Sequence, residues 1–215
     1  MKGVRFGNYH SYEDFSLILT GKTIPLPSAK TEYVDIAGGN GTLDLTEYFG
    51  FVSYNNRKLS FSFQTKLRRQ AFYEMFEELS NALHGKRMKI YLDEDLYFYF
   101  VGRLNVNPYK SNEKIGSIVI DAECEPFKLE EIETRYQFNL NGNEIEGDLI
   151  NLKMRVTPTI EVVTNESITL IYNNTSYVLT SGTYTIPEMV LEEGSNLVTM
   201  QGVGKISFIY RRGKL

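Results

Sequence analysis

From 58 to 65 the chain alternates, with Leu59, Phe61 and Phe63 on one side of an extended backbone and Ser60, Ser62 and Gln64 on the other. Successive side chains of a strand point to opposite faces, so this pattern predicts a sheet with one buried side. The period then changes. Over 66–84, Phe72, Met75, Phe76, Leu79, Ala82 and Leu83 recur at the three- and four-residue spacing of one amphipathic helix. Thr65 is placed to cap its start and Gly85 to end it in the left-handed conformation. Arg68 and Arg69 then fall in the first turn, where the helix dipole disfavours positive charge. Alternation returns at Met88, Ile90 and Leu92, with Asp93-Glu94-Asp95 as a solvated turn and 96–104 as the returning strand. A polar loop over 105–114 leads to another strand, with Ile118, Ile120, Ala122 and Cys124 on one face.

Upstream, short strands are expected around Val4–Phe6 and 15–19. Ile24-Pro25-Leu26-Pro27 then blocks regular pairing, because proline brings no amide donor to a ladder. Residues 31–36 read as a strand that runs into Gly38-Gly39-Asn40-Gly41-Thr42-Leu43-Asp44. That glycine run lacks the Lys-Ser/Thr ending and the following helix of a phosphate loop, so it reads as a tight turn between strands. If the turn needs positive φ at Gly41, a β-branched residue such as valine would be strongly disfavoured there.

Glu125-Pro126-Phe127-Lys128 closes the first half, and the acidic Glu130-Glu131-Ile132-Glu133 reads as a linker. The expected domains are therefore 1–130 and 131–215. Beyond the linker no helical period occurs. Short runs at 135–140, 152–156, Thr159–Val163, Ile168–Tyr172, Thr175–Leu179, 197–201 and 205–211 are separated by Asn, Gly, Ser and Pro. This spacing predicts an antiparallel sandwich. Asn173-Asn174 fits a two-residue hairpin turn, since asparagine tolerates positive φ. The fold class expected is mainly β: an α+β N-terminal domain with one main helix, followed by an all-β C-terminal sandwich.

Composition adds exclusions. Hydrophobic residues make up 42% and charged residues 23% of the 215, which argues against disorder. A net charge of −4 gives no general attraction to nucleic acid or anionic lipid. No apolar run is long enough to span a bilayer, so no membrane insertion is expected. The start of the chain lacks the apolar stretch of a secretory signal, which is consistent with folding in a cytoplasm. Cys124 is the single cysteine and reads as a small buried hydrophobe. His10 and His84 show no metal-ligand spacing, and no Gly-x-Ser-x-Gly elbow supports a Ser-His-Asp triad. Asp93-Glu94-Asp95 lacks the further oxygen ligands of a calcium loop. No catalytic residue, cofactor or metal is expected.

The tyrosines carry a second functional reading. Tyr136, Tyr172, Tyr177, Tyr184 and Tyr210 all lie in the second half, and aromatic rings on a sandwich can stack on sugars. An exposed platform of Tyr172, Tyr177 and Tyr184 would make this half a carbohydrate-binding module for attachment to a host wall. The competing reading packs these rings cross-strand within the sheet.

Several stretches in order carry a family resemblance. They are Phe6-Gly7-Asn8-Tyr9-His10-Ser11-Tyr12-Glu13-Asp14-Phe15, then Val34-Asp35-Ile36 leading to Gly39-Asn40-Gly41-Thr42-Leu43-Asp44, and Tyr54-Asn55-Asn56-Arg57-Lys58-Leu59-Ser60-Phe61. Leu79-Ser80-Asn81-Ala82-Leu83-His84-Gly85-Lys86, Tyr99-Phe100-Val101-Gly102-Arg103-Leu104, Cys124-Glu125-Pro126-Phe127-Lys128 and the closing Gly202-Val203-Gly204-Lys205-Ile206 and Tyr210-Arg211-Arg212-Gly213-Lys214-Leu215 complete the set. With these the chain resembles the distal tail (Dit) proteins of long-tailed, non-contractile bacteriophages (siphophages) and their prophage relatives. Asn40 departs from the pattern, standing where the family tends to carry a charged pair.

The resemblance implies a structural, non-enzymatic virion protein at the distal end of the tail, made in the bacterial host cytoplasm. It implies a homohexameric ring that joins the tail tube protein to the tail-associated hub or fibre proteins of the tail tip or baseplate. The ring leaves a channel for DNA without sequence-specific nucleic-acid binding. It also implies that the N-terminal domain builds the ring and that the C-terminal sandwich is galectin-like. A closed head-to-tail ring needs two different patches per subunit. The residues expected at those patches are Gly39, Gly41 and Leu43 on the glycine-rich loop, Arg68 and Arg69 at the helix start, and Arg103 on the hairpin.

Overall fold

A computed structural model describes residues 3–111 and 116–215. Residues 1 and 2 and the end of the polar loop expected over 105–114 lie outside the described residues. The chain divides into two compact units, 1–128 with 215, and 129–214. Among the described residues the protein is mainly β, with 53% strand and one helix.

The first unit carries β1 (Val4–Phe6), β2 (Tyr9–His10), β3 (Ile18–Thr23), β4 (Tyr33–Asp35), β5 (Thr42–Asp44), β6 (Arg57–Thr65), α1 (Gln70–Leu83), β7 (Arg87–Leu92), β8 (Asp95–Val106), β9 (Lys110–Ser111) and β10 (Gly116–Cys124). Its main sheet runs β2-β1-β7-β8-β10-β6-β3, with antiparallel neighbours, and β9 pairs with β10. The alternation read from sequence sets its faces. Leu59, Phe61 and Phe63 of β6 are buried, and so are Ile118, Ile120, Ala122 and Cys124 of β10. They join one core with Phe72, Met75, Leu79, Ala82 and Leu83, the apolar stripe of α1. Burial of this stripe, more than intrinsic propensity, holds a helix of this length.

Three local expectations need correction. The helix begins at Gln70, not Lys66, because β6 stays in register with β10 as far as Thr65↔Gly116. Thr65 does not cap the helix; its hydroxyl accepts the Leu67 N–H at 3.2 Å in a turn. Arg69 occupies the N-cap at φ 51° without a side-chain cap, so Arg68 and Arg69 precede the first helical turn. The hairpin turn is Asp93–Glu94, and its acids are not simply solvated. Asp93 accepts the Gly3 N–H at 2.7 Å, Glu94 pairs with Lys22, and Asp95 pairs with Lys128 at 2.6 Å. The register then jumps from Tyr91↔Tyr99 to Leu92↔Asp95, a bulge that leaves Leu96 and Tyr97 exposed. Finally, the loop expected from 105 contains strand, because β8 continues to Val106 and Lys110–Ser111 form β9.

The boundary between the units falls within β11 (Lys128–Glu130), and the second unit continues with β12 (Thr134–Asn141), β13 (Ile145–Asp148), β14 (Thr159–Val163), β15 (Ile168–Tyr172), β16 (Thr175–Leu179), β17 (Gly182–Thr185), β18 (Leu197–Tyr210) and β19 (Gly213–Lys214). The runs expected as separate strands at 197–201 and 205–211 are one strand, β18, that serves two sheets. Its first part pairs with β13 and β15, and its last part with β12 and β14. The change of sheet falls at Gly202 and Gly204, at φ 144° and 141°. A Cβ there would stand 2.8 Å from the Ser167 carbonyl oxygen and 2.4 Å from that of Val163, so neither position admits a side chain without backbone movement. Ile206, Phe208, Ile160 and Val162 from one sheet meet Ile168, Leu170, Val198 and Met200 from the other in a single core. The run at 152–156 is not a strand and makes an isolated bridge, Val156↔Leu191. The sequence reading also missed β13 and β17, both short and glycine-containing. Asn173 and Asn174, at φ 47° and 62°, form the expected turn between β15 and β16.

Candidate interaction surface

Between β3 and β6 the chain leaves the main sheet as an arm. Pro25 and Pro27 end the pairing of β3, and the arm's base is then tied by Lys30 N–H to Ser53 O at 2.8 Å and Asn55 N–H to Ser28 O at 2.9 Å. Its far part is the two-stranded β4–β5 ribbon, in register Tyr33↔Asp44, Val34↔Leu43 and Asp35↔Thr42. Every residue of both strands is exposed. Gly38 and Gly41 turn the ribbon at φ 73° and 82°, in open space. Asp44 Oδ1 accepts the Thr46 N–H at 2.9 Å, and hydrogen bonding to Thr46 holds this carboxyl below its usual pKa.

The arm is apolar as well as bare. Leu26, Tyr33, Val34, Ile36, Leu43, Tyr48, Phe49 and Phe51 are all exposed, with Phe49 at 82% and Tyr48 at 74%. A two-stranded ribbon with no third layer has little stability of its own. Exposed apolar side chains on such a ribbon make it a candidate surface for a partner. The aromatic residues Tyr48, Phe49 and Phe51 were missed in the sequence reading because they show neither strand nor helix period. A signal was present nonetheless, namely an aromatic cluster between a proline pair and the next alternating strand.

The expected interface residues fall on three elements. Gly39, Gly41 and Leu43 come together on the arm. Arg68 and Arg69 are exposed in the link between β6 and α1. Arg103 lies on β8, where its Nη1 donates to Gly85 O at 2.6 Å beside a shallow cleft with Lys58 and Asp121. Asp121 is the charged centre of the sheet's polar face. It accepts from Ser60 Oγ at 2.7 Å and Asn107 Nδ2 at 3.0 Å, and pairs with Lys58 Nζ at 2.8 Å. Partial burial works against its charge, but these bonds outweigh it and hold the carboxyl below its usual pKa.

The residue types of a hydrolytic triad do converge at the N-terminus. His10 Nε2 lies 3.2 Å from Asp93 Oδ2, and Ser11 is the next residue. However, His10 Nδ1 accepts the Glu13 N–H at 3.2 Å, so neither ring nitrogen is left for a serine proton. Ser11 Oγ accepts the Val4 N–H at 3.2 Å and is buried. This cluster is a structural clamp. Cys124 is fully buried, and burial pushes its thiol up to about 12, which suits a packing role. Among the described residues no three His, Cys, Asp or Glu side chains cluster as metal ligands. No described helix is long and apolar enough to cross a membrane.

The tyrosine platform is absent. Tyr172 is 4% exposed, and its hydroxyl donates to Val190 O at 2.7 Å. Tyr177 and Tyr184 are half-buried against the same core, and the Tyr184 hydroxyl donates to Thr180 O at 3.0 Å. Tyr136 stacks on Tyr210 at 6.3 Å between centroids. These rings alternate inward on their strands, which is why a sequence count of tyrosines overstated the exposed aromatic surface.

No protein-family profile matches the sequence, and no curated protein sequence matches it either. The structure, in contrast, matches a crystal structure of SPP1 Dit (gp 19.1), described as a paradigm of the hub adsorption apparatus in phages infecting Gram-positive bacteria. The match has a TM-score of 0.75 at 13% identity and covers 100% of both chains. Over its whole length the chain therefore has the fold of SPP1 Dit.

Proposed function

We propose that this protein is a structural distal tail protein of a siphophage or prophage, acting as a ring of its own copies at the distal end of the tail. The observation that carries the reading is the full-length likeness to SPP1 Dit, a protein of a hub adsorption apparatus. A likeness confined to one domain would have favoured a shared module; this one spans both. The bare apolar arm supports the same reading, since a ring subunit must carry a patch that stays uncovered until a neighbour arrives.

In this reading the arm, with Gly39, Gly41 and Leu43, reaches a second copy in a hexameric ring. Arg68, Arg69 and Arg103 belong to further contacts, with the neighbouring copy or with the tail tube and hub or fibre proteins. The ring leaves a passage for DNA, to which a mildly acidic chain offers no strong attraction. The role is non-enzymatic. The test is the mass and shape of the purified full chain, by light scattering and negative-stain microscopy. Closed rings of about six chain masses are expected, because cyclic closure is the physical requirement of the role. A chain that stays monomeric at high concentration and with tail tube protein added overturns the proposal.

A further inference from the structure

We infer that Asn40, at the tip of the arm, is a site of spontaneous deamidation, and that the fold protects the chain's other Asn-Gly sequence from the same reaction. The sequence holds two such pairs, Asn40-Gly41 and Asn141-Gly142. In the reaction the glycine backbone nitrogen loses its proton to solvent base and attacks the side-chain amide carbon of the asparagine. A C–N bond forms, ammonia leaves with the former amide nitrogen, and a five-membered succinimide results. Water then opens the ring at either carbonyl, giving aspartate or isoaspartate. Water is the only co-reactant. The step needs an accessible glycine amide, a free asparagine side chain, and a backbone able to bring the two together.

At Asn141 the fold withholds each of these. The Gly142 N–H donates to Gly202 O at 2.7 Å, which ties up the nucleophile. Asn141 Oδ1 accepts the Asn143 N–H at 3.3 Å, which holds the side chain away from attack. Asn141 itself is in register with Val203 in the β12–β18 ladder. Asn40 lies outside any ladder. The turn's own bond is made one residue earlier, Gly39 N–H to Ile36 O at 3.0 Å, and leaves the Gly41 amide outside it. Both Asn40 and Gly41 are exposed, and nothing lies within 4 Å of where a Gly41 Cβ would stand. The ribbon around them is two-stranded with both strands exposed, so its local opening is cheap.

The product changes the arm. Aspartate adds one negative charge to a ribbon that already carries Asp35 and Asp44, and isoaspartate also lengthens the backbone by one carbon within the turn. The consequence for self-association rests on the arm's role in the ring proposed above; the modification does not.

The experiment incubates the full chain in mildly alkaline buffer, folded and in urea, and follows each site by peptide mass mapping with isoaspartyl methyltransferase labelling. In urea both sites convert. In the folded chain Asn40 is expected to keep close to its unfolded rate, while Asn141 slows by about tenfold or more for want of a free amide. Equal rates at the two sites in the folded chain, or a faster Asn141, overturn the inference. Asn40→Ser abolishes the arm signal if the assignment is correct; label that persists there overturns it. Light scattering of the Asn40→Asp variant then addresses the arm separately. Conversion at Asn40 with unchanged self-association of Asn40→Asp upholds the site and counts against the arm as a ring contact.

Discussion

His10 and Asp93 meet across 83 positions of sequence, with Nε2 of the ring 3.2 Å from Oδ2 of the acid. The same carboxylate oxygen accepts the Gly3 N–H at 2.7 Å, and Gly3 O accepts the Asp93 N–H at 3.3 Å. One acid at the β7–β8 turn thus fastens Gly3, just ahead of β1, and His10 of β2.

Replacing that acid strands two donors at once. Asp93→Ala should lower stability by about 1–3 kcal/mol, the cost of leaving partly buried polar groups unpaired. Thermal denaturation measures the loss. Hydrogen exchange should rise first at β1 and β2. A variant with wild-type melting and unchanged exchange would show that the clamp contributes nothing net.

Asp121 supplies the pH dependence. Its pKa is depressed in the folded chain, so the stability it contributes is present above the unfolded carboxylate pKa. That contribution is lost as pH falls through the lower, folded value. Asp121→Asn should therefore cost about 1–2 kcal/mol near neutrality, where charge-assisted bonds to Lys58, Ser60 and Asn107 are lost. The gap to wild type should close in acid. Urea titrations at several pH values decide it; a gap that widens towards acid would reverse the sign argued here.

How much of this was legible in the sequence depends on what sets each element. The core faces of β6, β7 and β10 and the stripe of α1 follow from period alone, because one buried side dictates which residues are apolar. The start of α1 did not follow, since the ladder of β6 with β10 holds Thr65 in extended form against a plausible local cap. Nor did the continuity of β18, because Gly202 and Gly204 look like a break until two sheets are seen to share the strand. At the candidate surface, the turn at Gly38 and Gly41 was readable from glycine chemistry. The bareness of Tyr48 and Phe49 was not, because exposure is a property of what fails to pack against a residue.

Gly204 tests the shared strand. A Cβ at this position would press on the Val163 carbonyl oxygen at 2.4 Å, in a backbone conformation that L side chains rarely adopt. Gly204→Ala should destabilise by roughly 2–4 kcal/mol, the range of backbone strain added to a core shift. Thermal melting of the full chain reports it. A loss below half a kilocalorie would mean the corner tolerates a side chain and that the two sheets do not depend on it.

Tyr172 separates the two readings of the aromatic residues. Its ring is core and its hydroxyl serves Val190 O, so Tyr172→Phe should cost about 1 kcal/mol and Tyr172→Ala about 3–5 kcal/mol. Denaturant titration gives both values. Unchanged stability in the alanine variant, together with lost retention on host-wall glycan, would restore the sugar-stacking role that the buried ring argues against.

The arm makes the opposite prediction. Phe49 is 82% exposed and touches the edge of Tyr48, with centroids 5.2 Å apart, and neither belongs to the core of the first unit. Phe49→Ser should therefore leave folding stability within about 0.5 kcal/mol of wild type, as surface changes away from buried features do. In the ring proposed above the same side chain would be buried by a partner, and aromatic anchors at such contacts commonly carry 2 kcal/mol or more each. A cyclic assembly repeats the contact at every interface, so the loss is multiplied around the ring. Self-association followed by light scattering should weaken by well over tenfold while the melting temperature stays put. A variant that assembles as wild type would remove Phe49 from the interface, and a variant that unfolds would mean the arm is supported by contacts within its own chain.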